Sequence, residues 1–143
     1  MEHYSFVLRL IICFILSFII GFEREIRGSS AGLRINIIVC LGAFLFTSAT
    51  FGYFDDDIMR IPAQIVSGIG FIGAGIIAVD SNKIKGLNTA AIIWCVAAIG
   101  VLVGLNLIFE TCAGTVAILL INLLARKIKK IIAPDRYLDD YLK

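Results

Sequence analysis

Apolar residues run along this chain in five blocks: Tyr4 to Phe22, Leu33 to Gly52, Ala63 to Val79, Ala90 to Gly104 and Leu107 to Ala125. Charged residues collect in the gaps between them. A run of about 20 apolar residues matches the hydrocarbon thickness of a bilayer. A buried helix of a water-soluble protein imitates one such block, but not five in succession. The pattern predicts an all-α fold: a polytopic transmembrane bundle of five helices. Residues 1–125 read as one membrane domain and residues 126–143 as a short basic tail.

Composition agrees. The chain is 59% hydrophobic and 17% charged, where a soluble domain is about one quarter charged. Its mean hydropathy is +0.96. No Lys or Arg precedes the first block and no small-residue cleavage site follows it, so it reads as a retained helix. The four cysteines, Cys13, Cys40, Cys95 and Cys112, fall in four different blocks without a CxxC pair. They read as small hydrophobes. The one histidine is His3, and neither HExxH nor GxSxG occurs. Hence no enzyme activity is expected, and no catalytic, cofactor-binding or metal-binding residue is assigned. The lipid bilayer is the expected environment, with no nucleic acid as partner.

The basic residues set an orientation. Alternating helices put Arg24, Arg27, Arg34, Lys83, Lys85 and the tail's Arg126, Lys127, Lys129, Lys130, Arg136 and Lys143 on one side. The other side has only Arg60, and Arg9 lies inside the first block. Basic loops stay in the cytoplasm. The expected topology has the N-terminus outside and the C-terminus inside, with Tyr4 and Tyr53 at the outer interface.

The third block contains Gly68-Ile69-Gly70-Phe71-Ile72-Gly73-Ala74-Gly75, which satisfies GxGxxG letter for letter. Dinucleotide binding needs a βαβ unit around that motif, and none is visible. Small residues that let membrane helices approach closely are the better reading. Gly70, Ala74 and Ala78 form one stripe, Gly68 and Gly75, seven apart, mark another face, and Gly73 counts with them as a packing residue. Gly100 and Gly104 offer another pair on helix 4. Helix 3 is accordingly expected to be central, with a break near Gly68–Gly75 as the competing reading.

Polar residues inside such blocks need partners. Arg9 and Glu110 each lie roughly 7 Å in from the outer side. An ion pair between them stands against separate snorkelling to the surface. Asp55, Asp56 and Asp57 form an outer loop that reads as a solvated turn or an oxygen-rich cation site. On the inner side Glu23, Arg24, Glu25, Arg34, Asn36, Asn88 and Thr89 gather at the membrane edge, with Asn122 near the end of helix 5. Glu23 and Arg27 are spaced to pair if helix 1 continues, and Asn88 is placed to cap helix 4.

Several of these residues sit in longer stretches that resemble the bacterial MgtC/SapB membrane-protein family. The stretches are Gly21-Phe22-Glu23-Arg24-Glu25, Ala31-Gly32-Leu33-Arg34, Leu41-Gly42-Ala43, Arg60 to Gly75, and Lys85-Gly86-Leu87-Asn88-Thr89-Ala90-Ala91. Trp94 and Ala97-Ala98-Ile99-Gly100 follow. The resemblance implies a bacterial inner-membrane protein linked to growth in low Mg²⁺ and survival in host cells. It implies a candidate partner, the F-type ATP synthase, and adds Gln64 to Glu23, Arg24, Arg34, Gly68, Gly70, Asn88 and Thr89 as functional positions. Longer members carry a soluble domain after the last helix, so this chain looks like the shorter, SapB-like form. Two functions follow as expectations. One is a regulator acting by helix–helix contact with another membrane protein. The alternative is a small transporter or channel for Mg²⁺ or another ion, which needs a path between copies in a homodimer.

Overall fold

The computed structural model describes residues 2–50, 59–80 and 83–132. The Asp55–Asp57 loop, Tyr53, and Arg136 and Lys143 of the tail lie outside the described residues. Five helices form an all-α bundle, as the apolar blocks predict: α1 (Glu2–Ile26), α2 (Leu33–Ser48), α3 (Arg60–Ile76), α4 (Leu87–Gly104) and α5 (Ile108–Ile132). Three of them, α1, α4 and α5, are long and apolar enough to cross a membrane; α2 and α3 are shorter apolar helices. A small antiparallel ribbon, β1 (Ala78–Asp80) with β2 (Lys83–Lys85), joins α3 to α4.

The ribbon corrects the third block. Helix α3 stops at Ile76, and Ile77 is extended. Ala78 therefore belongs to a strand and continues no helical stripe. Hydropathy runs through this point unbroken because Val79 and Ile84 are apolar and β-branched, which suits a ribbon equally well. Gly86 then turns the chain into α4 with φ of 85°. A Cβ there would press on the Ile76 carbonyl, so only glycine permits the close return.

Two helix ends close with the same device. Gly28, with φ of 63°, follows α1, and Ser29 N–H donates to the Arg24 carbonyl at 3.2 Å. Asn106, also with φ of 63°, follows α4, and Leu107 N–H donates to the Leu102 carbonyl at 2.9 Å. Both satisfy carbonyls that a helix end leaves free. The first lets α1 run past Phe22, carrying Glu23 and Arg24 on its last turns.

Helix α4, not α3, is central. It packs against all four other helices, and nine of its residues between Thr89 and Gly104 are buried, with Ala91, Trp94 and Ala98 left exposed along one side. A helix apolar on every side calls for such a position. Its glycines make the closest approach. A Cβ on Gly100 would meet the Cys40 carbonyl, Ala43 Cβ at 2.9 Å and Phe44 N at 3.0 Å, all on α2. One on Gly104 would lie 2.6 Å from Thr47 Cβ. Gly21 plays the same part between α1 and α2, where a Cβ would lie 2.9 Å from Leu33 Cα. By contrast, added Cβ atoms at Gly68, Gly70 and Gly75 would meet nothing within 4 Å, and Gly73 meets only Ala90 Cβ at 3.6 Å. Ala74 is exposed. Helix α3 is peripheral, with Pro62 and Ile69 buried and its glycine-rich face turned outward.

The core at mid-length is apolar. Cys13, Ile20, Cys40, Phe44, Val96, Ile99 and Val103 fill it, and the Cys13 and Cys40 sulfurs touch at 3.1 Å. Buried hydroxyls bond back within their own helices. Ser17 donates to the Cys13 carbonyl at 2.8 Å, Thr47 to Ala43 at 2.8 Å, and Thr115 to Thr111 at 2.9 Å. Such back-bonding satisfies the hydroxyl without an interhelical partner.

Candidate functional site: a polar network at one end of the bundle

The end of α1, the starts of α2 and α4, and the last third of α5 meet at one end of the bundle. Arg24 follows Cys13, Ser17 and Gly21 on the buried stripe of α1 and is only 8% exposed. Its guanidinium donates to Ser29 Oγ at 2.8 Å and to Thr89 Oγ1 at 3.2 Å. The two hydroxyls stand 3.4 Å apart. One cation thus ties α1, its closing loop and the first turn of α4 together. Charge-assisted bonds of this kind are about twice as strong as neutral ones.

Glu25 faces the other way. Its carboxylate accepts the Leu33 N–H at 2.8 Å, at a helix start that has no side-chain cap of its own. The N–H groups of a first turn favour such an anion. Asn36, with no exposed surface, donates to the Ala31 and Gly32 carbonyls at 2.9 and 2.7 Å. It holds the α1–α2 connection against the bundle.

Glu23 forms the third knot. Its Oε1 pairs with Arg27 one turn on, and with Arg126 of α5 at 3.4 Å. Arg126 Nε in turn donates to the Asn122 carbonyl at 2.8 Å. Several buried atoms in this region have no hydrogen-bond partner: Glu23 Oε2, Arg24 Nε, Asn36 Oδ1 and Asn122 Nδ2. Buried polar atoms left so carry a cost, and the set includes both donors and acceptors.

Five of the residues singled out from sequence converge here: Glu23, Arg24, Glu25, Asn36 and Thr89. Ser29 and Arg126 join them, and neither stood among the candidate site residues; the four-residue spacing of Asn122 and Arg126 was the available signal. Arg34 and Asn88 are exposed nearby. Asn88 caps nothing, because the cap position of α4 is Gly86, without a side-chain bond. Gln64 stands apart. It lies one turn into α3, whose start packs beside Val101 and Leu102 at the opposite end of α4. Arg9 donates to the Gly104 carbonyl at 3.1 Å and to the Ser5 carbonyl at 3.4 Å. Glu110 is exposed, and among the described residues no salt bridge joins the two. Among the described residues no group of three or more His, Cys, Asp or Glu stands together to hold a metal.

Comparison with known proteins places this geometry in a family. The model of the MgtC family matches residues 10–131. Protein MgtC of Brucella abortus (strain 2308) is 47% identical over 122 residues, covering 83% of this chain and 50% of the relative. Protein MgtC of Salmonella typhimurium (strain 14028s / SGSC 2262) is 44% identical over 124 residues, covering 87% and 54%. An uncharacterised protein of Synechocystis sp. is 43% identical over 133 residues, covering 92% and 57%. The chain thus spans about half the length of the curated relatives it matches. No solved structure matches it.

Proposed function

Because the chain belongs to the MgtC family, we propose that this bacterial membrane protein is a non-enzymatic regulator in adaptation to low Mg²⁺ or host stress. It acts by helix–helix contact with another membrane protein. All five helices cross the inner membrane, with the N-terminus outside and the C-terminus inside, so the polar network lies at the cytoplasmic edge.

One observation carries the reading: among the described residues, apolar side chains fill the middle of the bundle and no polar path runs through it. Phe44, Ile20, Val96 and Ile99 are fully packed there, and the hydroxyls of Ser17, Thr47 and Thr115 are spent on their own helices. A conduit lines itself with polar groups that face a common space. At the inner end Arg24 instead spends its charge on holding helices together.

The F-type ATP synthase is the candidate target. The test is co-purification of its membrane subunits with the full chain after crosslinking in native membranes. Recovery above a control membrane protein supports this target, and its absence removes it. A second reading, an ion transporter working as an oligomer, draws support from the unpartnered Glu23 Oε2 and Asn36 Oδ1.

A further inference from the structure

The outward face of α3 is built unlike the lipid-facing sides of the other helices. Gln64, Ser67, Gly68, Phe71 and Gly75 follow each other along it at helical spacing, all exposed. Phe71 is 85% exposed, the most of any large hydrophobic side chain described. Gly68 and Gly75 lie one turn to either side of it, and no atom of the chain lies within 4 Å of a Cβ built on either. Beside this face, between α2 and α3, runs a crevice of about 510 Å³. Gly42 from α2 and Gly68 from α3 line it, together with Ile38, Phe46, Gln64 and Ile72. Gly42 likewise has open space where a Cβ would stand.

Hydrocarbon is a poor occupant for such a surface. An acyl chain satisfies neither the amide N–H₂ nor the amide oxygen of Gln64, and an unpaired amide in an apolar medium is costly. A projecting ring on one side and a glycine-walled crevice on the other are complementary shapes carried by one face. We propose that this face is the interface with a second copy of the chain, Phe71 of each copy entering the α2–α3 crevice of the other. A twofold axis along the membrane normal brings the same patch together on both sides. It sets Gln64 opposite Gln64 at one depth, where each amide both donates and accepts. Lipid supplies no hydrophobic drive for this association, so close packing at small residues and the amide pair hold it. The inference uses the membrane setting and the geometry of α3, and it stands apart from the regulator reading.

The full chain, labelled at the exposed Cys112 of α5, is reconstituted in vesicles of bacterial polar lipid over a range of protein-to-lipid ratios. Single-molecule photobleaching counts copies per diffusing spot. Two-step spots that increase with density are expected. Gly68→Leu, which fills the crevice, and Phe71→Ala, which removes the ring, should each weaken dimerisation about tenfold. Gln64→Leu should weaken it about threefold. Ile121→Ala, on the exposed side of α5, should leave it unchanged. Far-UV circular dichroism checks that each variant keeps its helices, and Gly68→Ala serves as the gentler crevice filler. One-step bleaching at every density means that lipid covers the face and overturns the proposal. Dimers indifferent to both Gly68→Leu and Phe71→Ala overturn it as well.

Discussion

Replacing Gly100 by alanine tests whether α4 lies backbone to backbone on α2. In an open helix position this change stabilises by about 1 kcal/mol through propensity alone. At Gly100 the new methyl would press on the Cys40 carbonyl and lie 2.9 Å from Ala43 Cβ and 3.0 Å from Phe44 N. Carbonyl and amide are backbone atoms, so relief requires α2 to move as a unit. Overpacking of this kind costs about 1–3 kcal/mol. Set against the propensity gain, the net loss is up to about 2 kcal/mol, which puts Gly100→Ala about 1–3 kcal/mol below an unhindered Gly→Ala change. Gly114 on α5 is the internal comparison, because a Cβ there meets nothing within 4 Å. Alanine at Gly114 should add up to about 1 kcal/mol. Equilibrium unfolding by SDS in mixed micelles, followed by circular dichroism and by the fluorescence of Trp94, reads both. A Gly100→Ala protein as stable as the Gly114→Ala protein, or a Gly114→Ala protein that loses stability, refutes the packing.

Other substitutions probe the polar network and the core. Arg24→Leu removes the donors held by Ser29 and Thr89 and should lower stability by about 2–3 kcal/mol in the same assay; a loss below half a unit would mean the network is ornamental. Glu25→Ala uncaps α2 and should cost about 1 kcal/mol, seen as faster hydrogen exchange at the Leu33 and Arg34 amides while α5 is unaffected. Thiol labelling of the folded protein in detergent should modify Cys112 quickly and leave Cys13 and Cys40 untouched, because only the first is exposed. Quick labelling of Cys13 would show that the α1–α2 seam opens.

The helices were legible because the blocks are strongly apolar and three of the four gaps between them carry charge. The end of α3 was not. Ile76, Ile77, Ala78 and Val79 are apolar whether they coil or extend, and hydropathy does not separate the two. The order of packing was hidden too. Glycines in α3 outnumber those in α4, yet Gly100 and Gly104 carry the close approach while Gly68 and Gly75 face outward. Glycine count says that a backbone can be approached, not which neighbour approaches it. At the polar-network end, Arg24 and Arg34 look alike in sequence. Only the run Cys13, Ser17, Gly21, spaced by four and continued by Arg24 on the same stripe, marks the first as buried. Ser29 carried no signal, since its role depends on the loop that Gly28 closes. The Arg9–Glu110 pairing misjudged reach: the Gly104 carbonyl, freed at the end of α4, is the acceptor Arg9 finds.

Contact without conduction is the heart of the account, and ion flux measures it. The purified full chain is sealed into vesicles loaded with a Mg²⁺-sensitive dye, and an inward Mg²⁺ gradient is applied at densities that allow dimers. An apolar, close-packed interior predicts uptake no faster than in protein-free vesicles. Uptake that rises with the amount of protein and falls when Glu23 is replaced by Gln would contradict it.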